Sequence, residues 1–200
     1  IYKAGDEFIM YYSAEEHICA ARSKSPLGPF KQNTKAPMLP EKAIDHTLFI
    51  DSDGTPRIYF SRLRNGNEIW TAELERDLVS IKQNTLKFCI KAEQPWELVE
   101  GRVNEGAAVI KHGNKYFLTY SGNGYTCCLY GIGCATADSP EGPWVKDARN
   151  PLLQKPGLLC GVGHHTIFKD KEGKLKIAFH AHKNAREVHH RTMHITDAWF

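Results

Sequence analysis

The sequence predicts an all-β fold, a five-bladed β-propeller with about four blades present in this chain. Three observations carry that reading. A strand pattern ending in an aromatic followed by a small polar residue or His recurs every 50 to 60 residues; a turn signal precedes each recurrence; and no sustained helical periodicity lies between the units.

The recurring strands occupy residues 7–13, 56–61, 115–121 and 174–180, rich in the β-branched and aromatic residues that pleated strands favour. Aligned on Tyr12, Phe60, Tyr120 and Phe179, they lie 48, 60 and 59 residues apart. Gly5-Asp6, Asp53-Gly54, Gly113-Asn114 and Glu172-Gly173 supply the preceding turns. Before each turn runs a first strand, at residues 1–2, 48–50, 107–110 and 166–168. A third follows at residues 17–22, 68–73, 130–137 and 188–194. Two third strands lead into near-copies, Ser25-Pro-Leu-Gly-Pro-Phe30 and Ser139-Pro-Glu-Gly-Pro-Trp144. Only residues 73–81 could carry a short helix. A double-sheet sandwich is the runner-up, and it leaves the repeat unexplained. Four blades could close a ring, but Ile1 reads as mid-strand, so an earlier blade upstream of it is expected.

Two hundred residues fit one large domain, taken as residues 1–200 and incomplete at its N-terminus. The apolar share of 42% and charged share of 24% are those of a soluble globular chain. A net charge of +3 is too small for a dedicated nucleic-acid binder. The longest near-apolar stretch, residues 127–135, is far short of a membrane span, and no signal segment opens the chain. Neither a nucleic-acid nor a membrane partner is therefore expected, while secreted, periplasmic and cytoplasmic locations all stay open. The six cysteines form no C-x-x-C pair and read as small buried hydrophobes on strands; Cys127 and Cys128 are adjacent and cannot easily bridge each other.

The first strand of each propeller blade lines the central channel, so equivalent polar residues converge at one mouth. Counting back 15 residues from the anchoring aromatic gives Asp45, Glu105 and His164. Alone, an acid at a strand entrance reads as a solvated turn residue or a cap; shared register turns the set into a site. Two facing carboxyls are what glycosidic cleavage requires, one protonated to donate to the leaving oxygen. Gly106 would let a substrate approach the backbone closely. His164-His165 could instead bond across the channel, and the later histidines read as blade decoration. No spaced Cys or carboxylate makes a zinc pattern, and no nucleophile elbow, P-loop or dinucleotide fingerprint occurs.

At these residues the chain resembles family 43 of the glycoside hydrolases, five-bladed propeller β-xylosidases and α-L-arabinofuranosidases. The likeness runs over essentially all 200 residues, through Met10-Tyr-Tyr-Ser-Ala14, the two Ser-Pro-x-Gly-Pro copies, Asp45, Val103-Asn-Glu-Gly106 and Gly161-Val-Gly-His164. The resemblance implies an inverting mechanism with three acids. Glu105 corresponds to the general acid and Asp45 to the acid that tunes its pKa and orients it. His164 corresponds to the axial histidine that helps hold calcium in many members. Arg191, and with it His165, is assigned to substrate binding. The general base has no counterpart here and is expected in an upstream blade. The implied substrate is arabinoxylan, arabinan or a xylo-oligosaccharide. A non-catalytic carbohydrate-binding propeller and a protein-interaction propeller are the alternatives. Trp70 and Trp96 are sugar-stacking candidates, with core packing as the competing reading.

Overall fold

Runs of β-branched and aromatic residues separated by tight turns fold as antiparallel meanders, because each strand then pairs with its sequence neighbour at minimal loop cost. The computed structural model describes residues 1–32 and 35–200, and its strands form four separate sheets. The first is β1 (Tyr2–Ala4), β2 (Glu7–Ala14) and β3 (His17–Ser23); the second is β4 (Ala43–Ile50), β5 (Pro56–Leu63), β6 (Asn67–Glu73) and β7 (Lys87–Lys91). The third is β8 (Asn104–His112), β9 (Lys115–Gly122), β10 (Gly131–Ala137) and β11 (Val145–Lys146); the fourth is β12 (Gly163–Lys169), β13 (Leu175–Ala181) and β14 (Thr192–Asp197). Each sheet is a simple meander in chain order, the blade predicted from the repeat, and the described residues form four such sheets where a sandwich has two.

Two local expectations are corrected. Residues 73–81 form no helix: Leu74 pairs with Ile81, and the Asp77 carboxylate accepts the backbone N–H groups of Val79 (3.0 Å) and Ser80 (2.9 Å). An Asp that captures these donors favours a turn over a helix. The helical content among the described residues is two short 3₁₀ turns, Gln83–Thr85 and Pro95–Glu97. The last strand runs Thr192–Asp197 instead of residues 188–194, because residues 183–188 close a loop through Lys183 N–H to Val188 O. Among the described residues no helix is long and apolar enough to cross a membrane.

The core lies between blades. Ile18 and Leu39 pack with Leu48, Ile58 and Phe60 at the first junction; Tyr59 and Ile69 pack with Leu118 and Tyr120 at the second; Ile132 and Val162 pack with Phe179 at the third. Full burial of side chains this size stabilises by about 1.5–3 kcal/mol each, which makes the blade junctions the main source of stability. The Ser-Pro-x-Gly-Pro copies adopt the same turn, each with a cis Gly–Pro bond and with the Ser25 or Ser139 carbonyl accepting the Gly28 or Gly142 N–H at 3.0 Å. The second copy docks on the neighbouring blade: Tyr59 donates to Pro140 O, and buried Arg57 pairs with Glu141 at 2.6 Å. Trp70 and Trp96 are packed against protein, Trp70 under Arg62 and beside Phe88, Trp96 against Tyr120.

Cys19, Cys89 and Cys134 lie buried on strands as expected, and burial pushes the Cys89 and Cys134 thiols up to about 12. Cys128 and Cys160 depart from that reading, since they sit in loops and form a disulfide.

Candidate active site

In a meander, first and third strands begin at the same end where second strands finish. Residues far apart in sequence therefore meet at one mouth. The starts of β4, β8 and β12 bring Asp45, Glu105 and His164 together, with one donor atom from each within 4.8 Å of the others.

Each of these first strands carries a bulge, two residues facing one on the partner strand. Asp45-His46 face Phe60, Gly106-Ala107 face Tyr120, and His164-His165 face Phe179. The first residue of each pair is left-handed, at φ +57° for Asp45, +60° for Gly106 and +48° for His164. That geometry corrects the register read from sequence. Asp45 and His164 are equivalent, but their counterpart in the third blade is Gly106, and Glu105 stands one residue earlier. The cause is the tight hairpin after β8, where His112 pairs directly with Lys115 across Gly113-Asn114 and shortens that arm by one residue. Glycine takes the left-handed turn without a Cβ penalty; Asp45 and His164 each accept about 1–2 kcal/mol of backbone strain to reach the mouth.

Glu105 is 8% exposed and accepts two side-chain hydrogen bonds, from the Tyr130 hydroxyl to Oε1 at 2.7 Å and from Asn67 Nδ2 to Oε2 at 3.0 Å. Burial, then the charge of Glu105, holds the Tyr130 hydroxyl well above its usual pKa, so it stays a donor. Behind Glu105, Asn104 donates to Glu97 Oε1 at 3.1 Å, and Glu97 is fully buried against Lys146 at 2.6 Å.

Asp45 is pushed up to about 6, chiefly by burial and further by Glu105, while His164 and the Gly106 N–H act in the opposite direction. Its Oδ1 lies 3.7 Å from His164 Nε2, and its Oδ2 is buried with no hydrogen-bond partner. Burial and the neighbouring Glu105 charge therefore favour the protonated form of Asp45. Calcium takes six to eight oxygen ligands. The cluster offers it two carboxylates and an imidazole nitrogen, short of a calcium cage on its own side chains.

The His164 ring is 43% exposed in the mouth and stacks on His180 at 6.4 Å. His165 points the other way: it is 6% exposed, its Nε2 meets Thr119 Oγ1 at 2.7 Å, and burial holds it neutral, with a pKa near 3. It packs beneath the mouth and offers little surface to a substrate. Arg191 is exposed, with Nη1 3.5 Å from His180 Nε2 and its guanidinium 5.3 Å over the Tyr125 ring, so it joins the cluster through His180. Sequence reasoning missed Tyr130, Asn67 and His180. The signal was present in their positions: two stand at the start of a third strand and one at the end of a second, the same end of the blade as Asp45.

Glycosyl hydrolases family 43 matches the chain over residues 1–200. Among solved structures, an endo-1,4-beta-xylanase from Bacteroides thetaiotaomicron is 50% identical with a TM-score of 0.95, covering 98% of this chain and 68% of that one. A thermostable family-43 glycoside hydrolase is 35% identical with a TM-score of 0.87, covering 98% of this chain and 69% of that one. Among curated relatives, a beta-D-galactofuranosidase of Aspergillus niger is 26% identical over 87% of this chain. An extracellular exo-alpha-(1->5)-L-arabinofuranosidase of Streptomyces avermitilis is 32% identical over 46% of it. The chain spans 50% of the length of the first and 20% of the second. With four meander blades and the match running its full length, the chain belongs to family 43 of the glycosyl hydrolases.

Proposed function

We propose that the chain carries the acid side of an inverting glycosidase that cleaves arabinofuranosyl or xylosyl linkages in arabinoxylan, arabinan or xylo-oligosaccharides. The observation that carries this reading is Glu105, held by two side-chain donors at the mouth beside a second carboxyl within 4.8 Å. The names of the relatives, a xylanase and an arabinofuranosidase among them, support the substrate class.

Glu105 is the general acid. It gives its proton to the glycosidic oxygen as the bond to the anomeric carbon breaks, so the leaving sugar departs as a neutral alcohol. Tyr130 and Asn67 fix the carboxyl plane and, as donors, stabilise the charge that appears on it after it gives up its proton. Asp45 is the modulator: its carboxyl, pushed up to about 6, stands beside Glu105 at the mouth. An inverting acid and base stand about 6.5–9.5 Å apart to admit a water. Asp45 is too close to Glu105 for that role. His164 and Arg191 face the mouth with nitrogen donors for sugar hydroxyls.

Proton NMR of the first-formed sugar, recorded in the complete polypeptide with a xylo- or arabino-oligosaccharide, tests the mechanism. The expected product has the opposite anomeric configuration to the substrate. Retention would overturn the reading and assign Asp45 as a nucleophile, since retaining pairs stand about 5–5.5 Å apart. Sugar binding without any hydrolysis would instead support a carbohydrate-binding propeller.

A further inference from the structure

Behind the mouth lies a second cluster that glycoside cleavage does not use. Cys128, Cys160 and His182 offer two sulfurs and an imidazole nitrogen within 4.8 Å of one another. We propose that these three residues form a clasp with two chemical states: the Cys128–Cys160 disulfide when oxidised and, when reduced, a Cys₂His site for a soft divalent cation such as Zn²⁺.

The scaffold that aligns them is backbone. Gly161 N–H donates to Cys128 O at 3.1 Å, and His182 N–H donates to Cys160 O at 3.0 Å, so three separate segments are registered before any ligand arrives. His182 Nε2–H donates to Tyr125 O at 2.8 Å, which leaves the Nδ1 lone pair free and aimed at Cys160 Sγ, 3.8 Å away. A histidine whose second nitrogen is anchored on a carbonyl is the usual arrangement of a metal ligand. Tetrahedral zinc with bonds of about 2.3 Å to sulfur and about 2.0–2.1 Å to nitrogen sets sulfur–nitrogen gaps of roughly 3.6 Å. The Cys160–His182 pair already stands near that spacing. Gly161 is left-handed at φ +60°, and a Cβ there would collide with the His182 ring, so the position admits only glycine.

A dithiol reductant closes its own disulfide and delivers two electrons and two protons; the Cys128–Cys160 bond breaks to give two thiols. Zn²⁺ then displaces both thiol protons to solvent and forms two S–Zn bonds and one N–Zn bond with no change of oxidation state. The fourth position stays open for water. The clasp is wired to the mouth: Cys128 lies two residues before Tyr130, His182 two after His180, and Cys160 four before His164. His180 stacks on both Tyr130 (5.7 Å) and His164 (6.4 Å), so either state pins the same three rings.

The complete protein, reduced with a non-chelating phosphine, is titrated with Zn²⁺ and separately with Co²⁺. One equivalent of tight Zn²⁺ and a thiolate-to-cobalt charge-transfer band are expected, the band distinguishing this site from surface histidines. His182→Gln keeps a donor for Tyr125 O and should leave the thiol count unchanged, while weakening Zn²⁺ by more than about 100-fold. Cys160→Ser should abolish the band. Reduced protein that keeps its fold and shows no charge-transfer band would overturn the metal state, as would a Zn²⁺ affinity that His182→Gln leaves unchanged. Protein that unfolds on reduction and does not refold on adding Zn²⁺ would do the same.

Discussion

Asp45 is the residue at which fold and chemistry pull against each other. Its carboxyl is 15% exposed, carries an unpartnered oxygen and sits on a left-handed backbone. Because its folded pKa of about 6 lies above the ordinary 3.8, the fold favours the protonated form. The stability it contributes is complete below pH 4 and is lost as pH rises through 6. Asp45→Asn should therefore gain on the wild type as pH rises, by up to about 3 kcal/mol above pH 6, in urea midpoints measured at pH 4 and 7.5. An equal difference at both pH values would refute the buried, proton-retaining carboxyl. The same variant should lose activity on an oligosaccharide, since it removes the carboxyl beside Glu105 at the mouth. Tyr130→Phe tests the hold on Glu105: kcat on an oligosaccharide should fall about tenfold with KM little changed. A change in KM alone would make Tyr130 a substrate contact.

At the scale of elements, the strands were legible in the sequence and the bulges were not. Alternating aromatics and turn dipeptides mark β2, β5, β9 and β13 to within about two residues. The one-residue slip that separates Glu105 from Asp45 and His164 depends on hairpin length and cross-strand register, which an ungapped count does not see. The buried ion pair was equally invisible. Glu97 and Lys146 are 49 residues apart, one in a 3₁₀ turn and one in the short strand β11, and meet beside Asn104 at the start of β8. Glu97 also accepts the backbone N–H groups of Glu93 and Gln94 at 2.8 Å, so the pair organises the turn that backs Glu105. Lys146→Met leaves that carboxylate buried without its cation and should destabilise by about 3–5 kcal/mol, with Lys146→Met/Glu97→Gln recovering part of the loss in thermal melts. No recovery in the double variant would mean that Lys146 acts by packing alone.

For the whole molecule, the repeat and the order of motifs made both the fold and the family legible, while the disulfide was hidden because Cys128 and Cys160 meet only through blade closure. Burial of histidines sets the molecule's acid response. His46 is pushed down to about 4 and His165 to about 3, both first by burial. A depressed folded pKa gives stability that is full above the ordinary 6.5 and is lost as pH falls toward the folded value, opposite in sign to Asp45. Two such groups with larger shifts outweigh one carboxyl, so melting temperature should fall steadily from pH 6.5 to 4. A flat profile over that window would contradict the neutral, buried imidazoles.

A proton donated by Glu105 to the leaving sugar matters most where the leaving group is a poor one, so the dependence of rate on leaving group tests that role. Rates for Glu105→Gln and wild type are compared in the complete polypeptide on a natural oligosaccharide and on an aryl glycoside whose phenol departs without protonation. A loss of about 10²–10⁴-fold is expected on the oligosaccharide and a far smaller one on the aryl glycoside. Equal losses on both substrates, or wild-type rates on the oligosaccharide, would contradict it.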